Sequence, residues 1–86
     1  MDEVLIGKVI NYFPRIEVAA LEVTGHEVRL GDEIRILGHT TSFTQEVTSM
    51  QIDNETVVAA GVGELVGIEV TERARPNDLV YRISPR

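Results

Sequence analysis

The chain has 86 residues, 43% of them hydrophobic and 26% charged, a globular balance that argues against a disordered chain and for one domain over 1–86. Size scaling lets such a chain bury about 63% of its unfolded surface, enough for one thin core and too little for a P-loop GTPase or a Rossmann domain. The formal charge is −6 and cysteine is absent, which removes disulfides, thiolate zinc sites and cysteine nucleophiles.

In chain order the sequence reads as short β-branched runs divided by glycine and turn residues. Glu3–Tyr12 is the first expected strand, with Val4, Ile6, Lys8 and Ile10 on one face and Leu5, Gly7 and Val9 on the other. Apolar residues on both faces predict that the sheet curls over it. Pro14 ends the run. Ile16–Val23 is the second strand, and the step from Ile16, Val18 and Ala20 to Leu21 and Val23 predicts a bulge within it. Val28 and Leu30 lead to a Gly31-Asp32 turn, and Glu33–Leu37 follows with Ile34 and Ile36 inward.

Gly38–Ser42 reads as a loop and Phe43–Ile52 as one strand with a second bulge near Thr48-Ser49. Asp53-Asn54-Glu55 turns the chain, Val57-Val58 is a short strand, and Gly61-Val62-Gly63 is a tight loop. Leu65–Val70 places Val66, Ile68 and Val70 inward, Arg75–Asp78 turns again, and Leu79–Ile83 closes the sheet. The expected fold is all-β, a six- to seven-stranded antiparallel closed β-barrel.

Catalytic patterns are missing. His26 and His39 sit in turns without a second ligand at helical spacing, so neither metal nor cofactor is expected. Gly61-x-Gly63 with Gly67 fails the spacing of a dinucleotide fingerprint, because Val66 stands where the third glycine belongs. No apolar run reaches the roughly 18–20 residues of a membrane helix. The acidic Met1-Asp2-Glu3 start has no apolar segment after it, so a cytoplasmic chain without a secretory signal is expected.

Charge is uneven along the chain. Residues 1–72 carry four basic side chains against thirteen acids, while 73–86 carry Arg73, Arg75, Arg82 and Arg86 against Asp78. General nucleic-acid binding asks for a basic surface, which the first 72 residues lack, and no DNA partner is expected. The Gly38–Phe43 loop and the strand after it interleave short polar groups with Phe43 and Met50, the composition of a recognition edge.

The ordered set Ile6-Gly7-Lys8-Val9, Val28 to Gly38, Val47-Thr48-Ser49-Met50 and Gly63 to Ile68 resembles the second domain of the translational GTPases. This is the β-barrel that follows the G domain in elongation factor Tu and its relatives. The stretch around Phe43-Thr44-Gln45 and Met50 also resembles the C-terminal domain of the collagenase-like peptidase family associated with tRNA modification. In the aminoacyl-tRNA carriers the residues flanking the methionine that corresponds to Met50 help hold the tRNA acceptor end. There the motif reads Glu-Met-His and a basic residue; here Ser49, Met50, Gln51 and Ile52 stand, all uncharged. No phosphate loop, switch region or guanine-specificity sequence is present, so GTP is not expected to bind this chain. The expectation is a non-enzymatic binding module that contacts tRNA or ribosomal RNA through His39, Thr41, Gln45, Ser49, Gln51, Arg73 and Arg75. The alternative is a module that docks on a translation factor or a tRNA-modifying enzyme.

Overall fold

The computed structural model describes residues 3–83, and Met1, Asp2 and Arg86 lie outside them. Ten strands form: β1 (Glu3–Phe13), β2 (Val18–Val23), β3 (Val28–Arg29), β4 (Glu33–Leu37), β5 (Ser42–Glu46), β6 (Met50–Ile52), β7 (Glu55–Thr56), β8 (Ala59–Ala60), β9 (Leu65–Glu69) and β10 (Leu79–Ile83). No helix occurs among the described residues, hence none long and apolar enough to cross a membrane. The main sheet has eight strands in the order β5-β4-β10-β1-β2-β9-β6-β7, and β3 pairs with β8 in a separate two-stranded sheet. Every pairing is antiparallel.

The eleven residues of β1 pair with β10 through their first half and with β2 through their second. A register shift falls between Leu5 and Gly7 on the first side and between Val9 and Asn11 on the other. Each shift resets the two-residue alternation of side chains. In consequence Ile6 and Val9 are both fully buried, Tyr12 packs against the same core, and Lys8 and Ile10 face outward. This departs from the sequence expectation that Ile6, Lys8 and Ile10 share a face. It also moves the bulge expected in the second strand onto its partner. β2 alternates without interruption, with Ala19, Leu21 and Val23 inside and Val18 and Ala20 outside.

Gly7 sits at a close approach of β1 to β2: a Cβ there would overlap the Glu22 carbonyl. Only glycine leaves the two backbones that room. Asp53 and Asn54 both adopt left-handed conformations, φ 52° and 66°, and make the two-residue hairpin turn between β6 and β7.

The run Phe43–Ile52 is two strands rather than one bulged strand. β5 pairs with β4 at one margin of the sheet, whereas β6 pairs with β9 toward the other. Residues 47–49 join them, and four residue steps from Glu46 to Met50 reach at most about 14 Å. The sheet must therefore roll until its margins come together. Val47, fully buried, fastens the crossing by donating to the Asp32 carbonyl (2.8 Å) and accepting from the Gly31 amide (2.9 Å).

Among the described residues backbone pairing does not complete the circuit: the main sheet has eight strands where six or seven were expected, and a closed barrel is not found. The seam is bridged by one side chain. Gln45 Nε2 donates to the Glu69 carbonyl (2.8 Å), and Gln45 Oε1 accepts from the Thr71 amide (2.7 Å). A primary amide thus occupies the donor and acceptor places that a neighbouring strand would fill. The short strand expected at Val57-Val58 is displaced to either side, as β7 and β8, with the Val57 amide donating to Met50.

The core is one cluster, centred on Ile6, Leu21, Ile34, Ile36, Met50 and Ile68, all fully buried. Each such side chain contributes about 1.5–3 kcal/mol relative to exposure. Two outcomes follow for variants. Gly7→Ala should lower the urea midpoint by the equivalent of about 3 kcal/mol, since backbone must move to admit the methyl. Gln45→Ala should cost about 1–2 kcal/mol, with faster hydrogen exchange at the Thr71 amide and little change at Val9.

Candidate binding surface

Strand alternation decides what surrounds Met50. Its side chain is fully buried and its backbone pairs with Ile68, so Ser49 and Gln51 on either side turn outward. They meet the outward residues of β2 and β9. Ser49 and Gln51 line a pocket of about 270 Å³ with Ile16, Val18, Gly67 and Glu69. Gln51 continues into a groove of about 410 Å³ walled by Ile10, Phe13, Ile16, Val18, Ala20 and Leu65, with Asp53 and Asn54 at its rim. Gly67 keeps this floor low, because a Cβ there would press on Val18 at 3.3 Å.

The groove is apolar and open. Phe13 is 43% exposed, Ile16 60% and Leu65 56%, unusual for large hydrophobic side chains lying side by side. The sequence reading missed these walls: it grouped Ile16, Val18 and Ala20 on one face and took the step to Leu21 and Val23 as a bulge, without giving the first set an outward surface. Apolar residues on both faces of β1 and β2 were the available signal; the surplus set belongs to an outer surface rather than to a tighter curl.

The seven expected site residues separate into four places. Ser49 and Gln51 lie in the groove. Gln45 is committed to the seam, beside a cleft of about 380 Å³ lined by Glu17, Glu46, Thr48, Glu69, Val70 and Thr71. That cleft carries three carboxylates and no cation, which disfavours a phosphate there.

His39, Thr41 and Arg75 belong to two adjoining turns. His39 is exposed, while Thr41 is 95% buried and its carbonyl accepts from the Gly38 amide at 2.7 Å. The Asp78 carboxylate, itself buried, accepts from the Arg75 amide at 2.9 Å and lies against Gly38, where a Cβ would overlap it. Asp78 thereby ties the β4–β5 turn to the turn before β10. Arg73 lies elsewhere, with its guanidinium carbon 5.8 Å from the Tyr12 ring centroid. Tyr12 and Phe13 point to opposite faces of β1, so Arg73 stands across the strand from the groove wall. The Arg82 guanidinium donates to the Glu27 carbonyl at 3.4 Å. Among the described residues no group of three or more His, Cys, Asp or Glu side chains is arranged to hold a metal ion.

These features define a small all-β unit, an antiparallel sheet rolled around one core with an outward groove beside Met50. No protein-family model matches the chain. It is 39% identical over 85 residues, 98% of its length, to a collagenase of Porphyromonas gingivalis. It is also 40% identical over 77 residues to an uncharacterized protease of Methanocaldococcus jannaschii. The chain spans about a fifth of the length of these curated relatives, 20% and 19% respectively.

Among solved structures, the fold matches the C-terminal domain of a Geobacillus thermoleovorans protein assigned to the U32 peptidases. The TM-score is 0.87 at 21% identity, over 94% of this chain and 93% of that one. It also matches part of GDP-bound aIF5B from Aeropyrum pernix, with a TM-score of 0.70 at 17% identity, over 99% of this chain and 15% of that one. Both resemblances drawn from sequence thus have structural counterparts at the level of fold.

Asp78→Ala should cost about 1–3 kcal/mol, through the unsatisfied Arg75 amide. In an amide spectrum its shifts should cluster at 38–41 and 75–78 and leave Gln51 unmoved.

Proposed function

We propose that this chain is a non-catalytic, cytoplasmic binding module of a larger U32-peptidase-like protein, and that its groove takes RNA, with tRNA or ribosomal RNA as the partner. One observation carries the reading. Ser49 and Gln51, the outward neighbours of buried Met50, open onto a groove with a phenylalanine in its wall and amide side chains at its base and rim. That is the place where the resemblance to the translational GTPase barrel puts contact with a tRNA end, and the fold shared with aIF5B supports it.

The chemistry suits an unpaired base better than a phosphate. Phe13 and the aliphatic walls offer a stacking surface, and Gln51 and Asn54 offer donors and acceptors to a base edge. No cation lines the groove, so backbone phosphates would be held outside it by Arg15 and Arg73, which are exposed on the β1–β2 turn and across β1. Chemistry, where the larger protein performs any, would come from its other parts.

Docking of a protein segment is the second reading, favoured by the exposure of Ile16 and Leu65. Salt separates the two. Two arginine–phosphate contacts give a log–log slope of about −1 to −2, whereas an apolar contact is far less sensitive.

The test is an amide-shift titration of the labelled chain with a tRNA acceptor-stem minihelix at low and physiological salt. Shifts at Phe13, Ile16, Gln51 and Gly67 are expected, with affinity reduced about tenfold for Arg15→Ala combined with Arg73→Ala. No shift even at low salt would overturn the RNA reading.

A further inference from the structure

A second apolar face lies on the outside of β4, β10 and the start of β1. Cross-strand register sets Leu37 opposite Leu79, and Leu5 opposite Tyr81. The three leucines are 41%, 39% and 40% exposed, and Tyr81 is half-buried among them. Lys8 and Glu22, paired across β1 and β2, separate this face from the groove. At the margin Glu3 forms an ion pair with Arg35 at 2.8 Å, anchoring the strand entry beside Leu5.

We infer that this face is a docking surface for the larger part of the same polypeptide, a preceding domain that presents an apolar surface to Leu5, Leu37 and Leu79. The inference rests on the reading above that the unit works within a longer protein. Its relatives are about five times longer than the matched segment, and the matching Geobacillus structure is a C-terminal domain, an order that puts the rest of such a chain ahead of this unit.

Chain path and shape select this face over the groove. A domain joined ahead of Glu3 arrives two residues from Leu5, whereas Phe13 in the groove wall lies ten residues further, up to about 33 Å along an extended strand. The groove is concave and rimmed by amides and a carboxylate, a shape for a small inserted group. The leucine face is bordered by charges of both signs, Lys8, Glu33, Arg35 and Glu3, as the rim of a protein interface is.

Oxidative footprinting of the intact Porphyromonas gingivalis collagenase tests this, with its own segment aligned to this chain, expressed free, as the reference. The aligned segment covers 98% of the chain, so positions correspond across it. Side chains aligned with Leu5, Leu37, Leu79 and Tyr81 should react at least fivefold more slowly in the intact protein than in the free segment. Those aligned with Ile16 and Leu65 should react equally in both. Protection at the Ile16 and Leu65 positions instead would overturn the assignment of the face and leave the module reading standing. Equal reactivity at both faces would overturn the docking proposal and leave the module reading standing.

Discussion

One strand has to serve two partners on a sheet that rolls back toward itself, and the rest of the structure follows from how β1 does so. A strand of eleven residues without irregularity would hold alternate side chains on one face from end to end. The register shifts at Ile6 and Ile10 break that rule and keep Ile6, Val9 and Tyr12 directed at the core while the strand coils. The same shifts let Ile10 and Phe13 turn outward, where they become the wall of the groove. Core and candidate site are therefore produced by one irregularity, and neither can be altered alone.

The seam shows the complementary constraint. A short crossing at residues 47–49 brings the sheet margins together, but their backbones do not pair. Left unmade, the Glu69 carbonyl and Thr71 amide would face solvent in a cleft lined with carboxylates. The Gln45 side chain supplies both missing partners at ladder distances. Glutamate could not, because its carboxylate accepts and does not donate when ionised. The identity of this residue is thus a geometric requirement of rolling, and it accounts for a position that looked from sequence like a recognition contact.

Most of the fold was legible because β-branched alternation and turn chemistry act locally. Glu33–Leu37 and Leu79–Ile83 match expectation at both ends, and Asp53-Asn54 turns the chain as its residue types require. What was illegible depended on pairing between distant segments. Bulges in β1 are visible only against β2 and β10, and the split of residues 43–52 into two strands reflects partners at opposite margins of the sheet. For the site, Ser49 and Gln51 could be placed from the burial of Met50 alone. The groove walls could not, since the face that Ile16 and Val18 take depends on the unbroken phase of β2, which the expected bulge obscured. Thr41 and Gln45 were drawn toward the surface by their polarity, while structural hydrogen bonds hold one inside and one across the seam.

Two outward apolar faces on so small a unit also bear on how copies of it coexist. The Lys8–Glu22 belt that divides them is narrow, and each face alone resembles a contact waiting to be covered. Mutual repulsion between chains of net charge −6 is the force that keeps such faces apart when nothing else occupies them. The acidity of the sequence is then a colloidal safeguard. As carboxylates are protonated that repulsion fades, and the same surfaces that suit a partner become the route by which the isolated chain would meet itself.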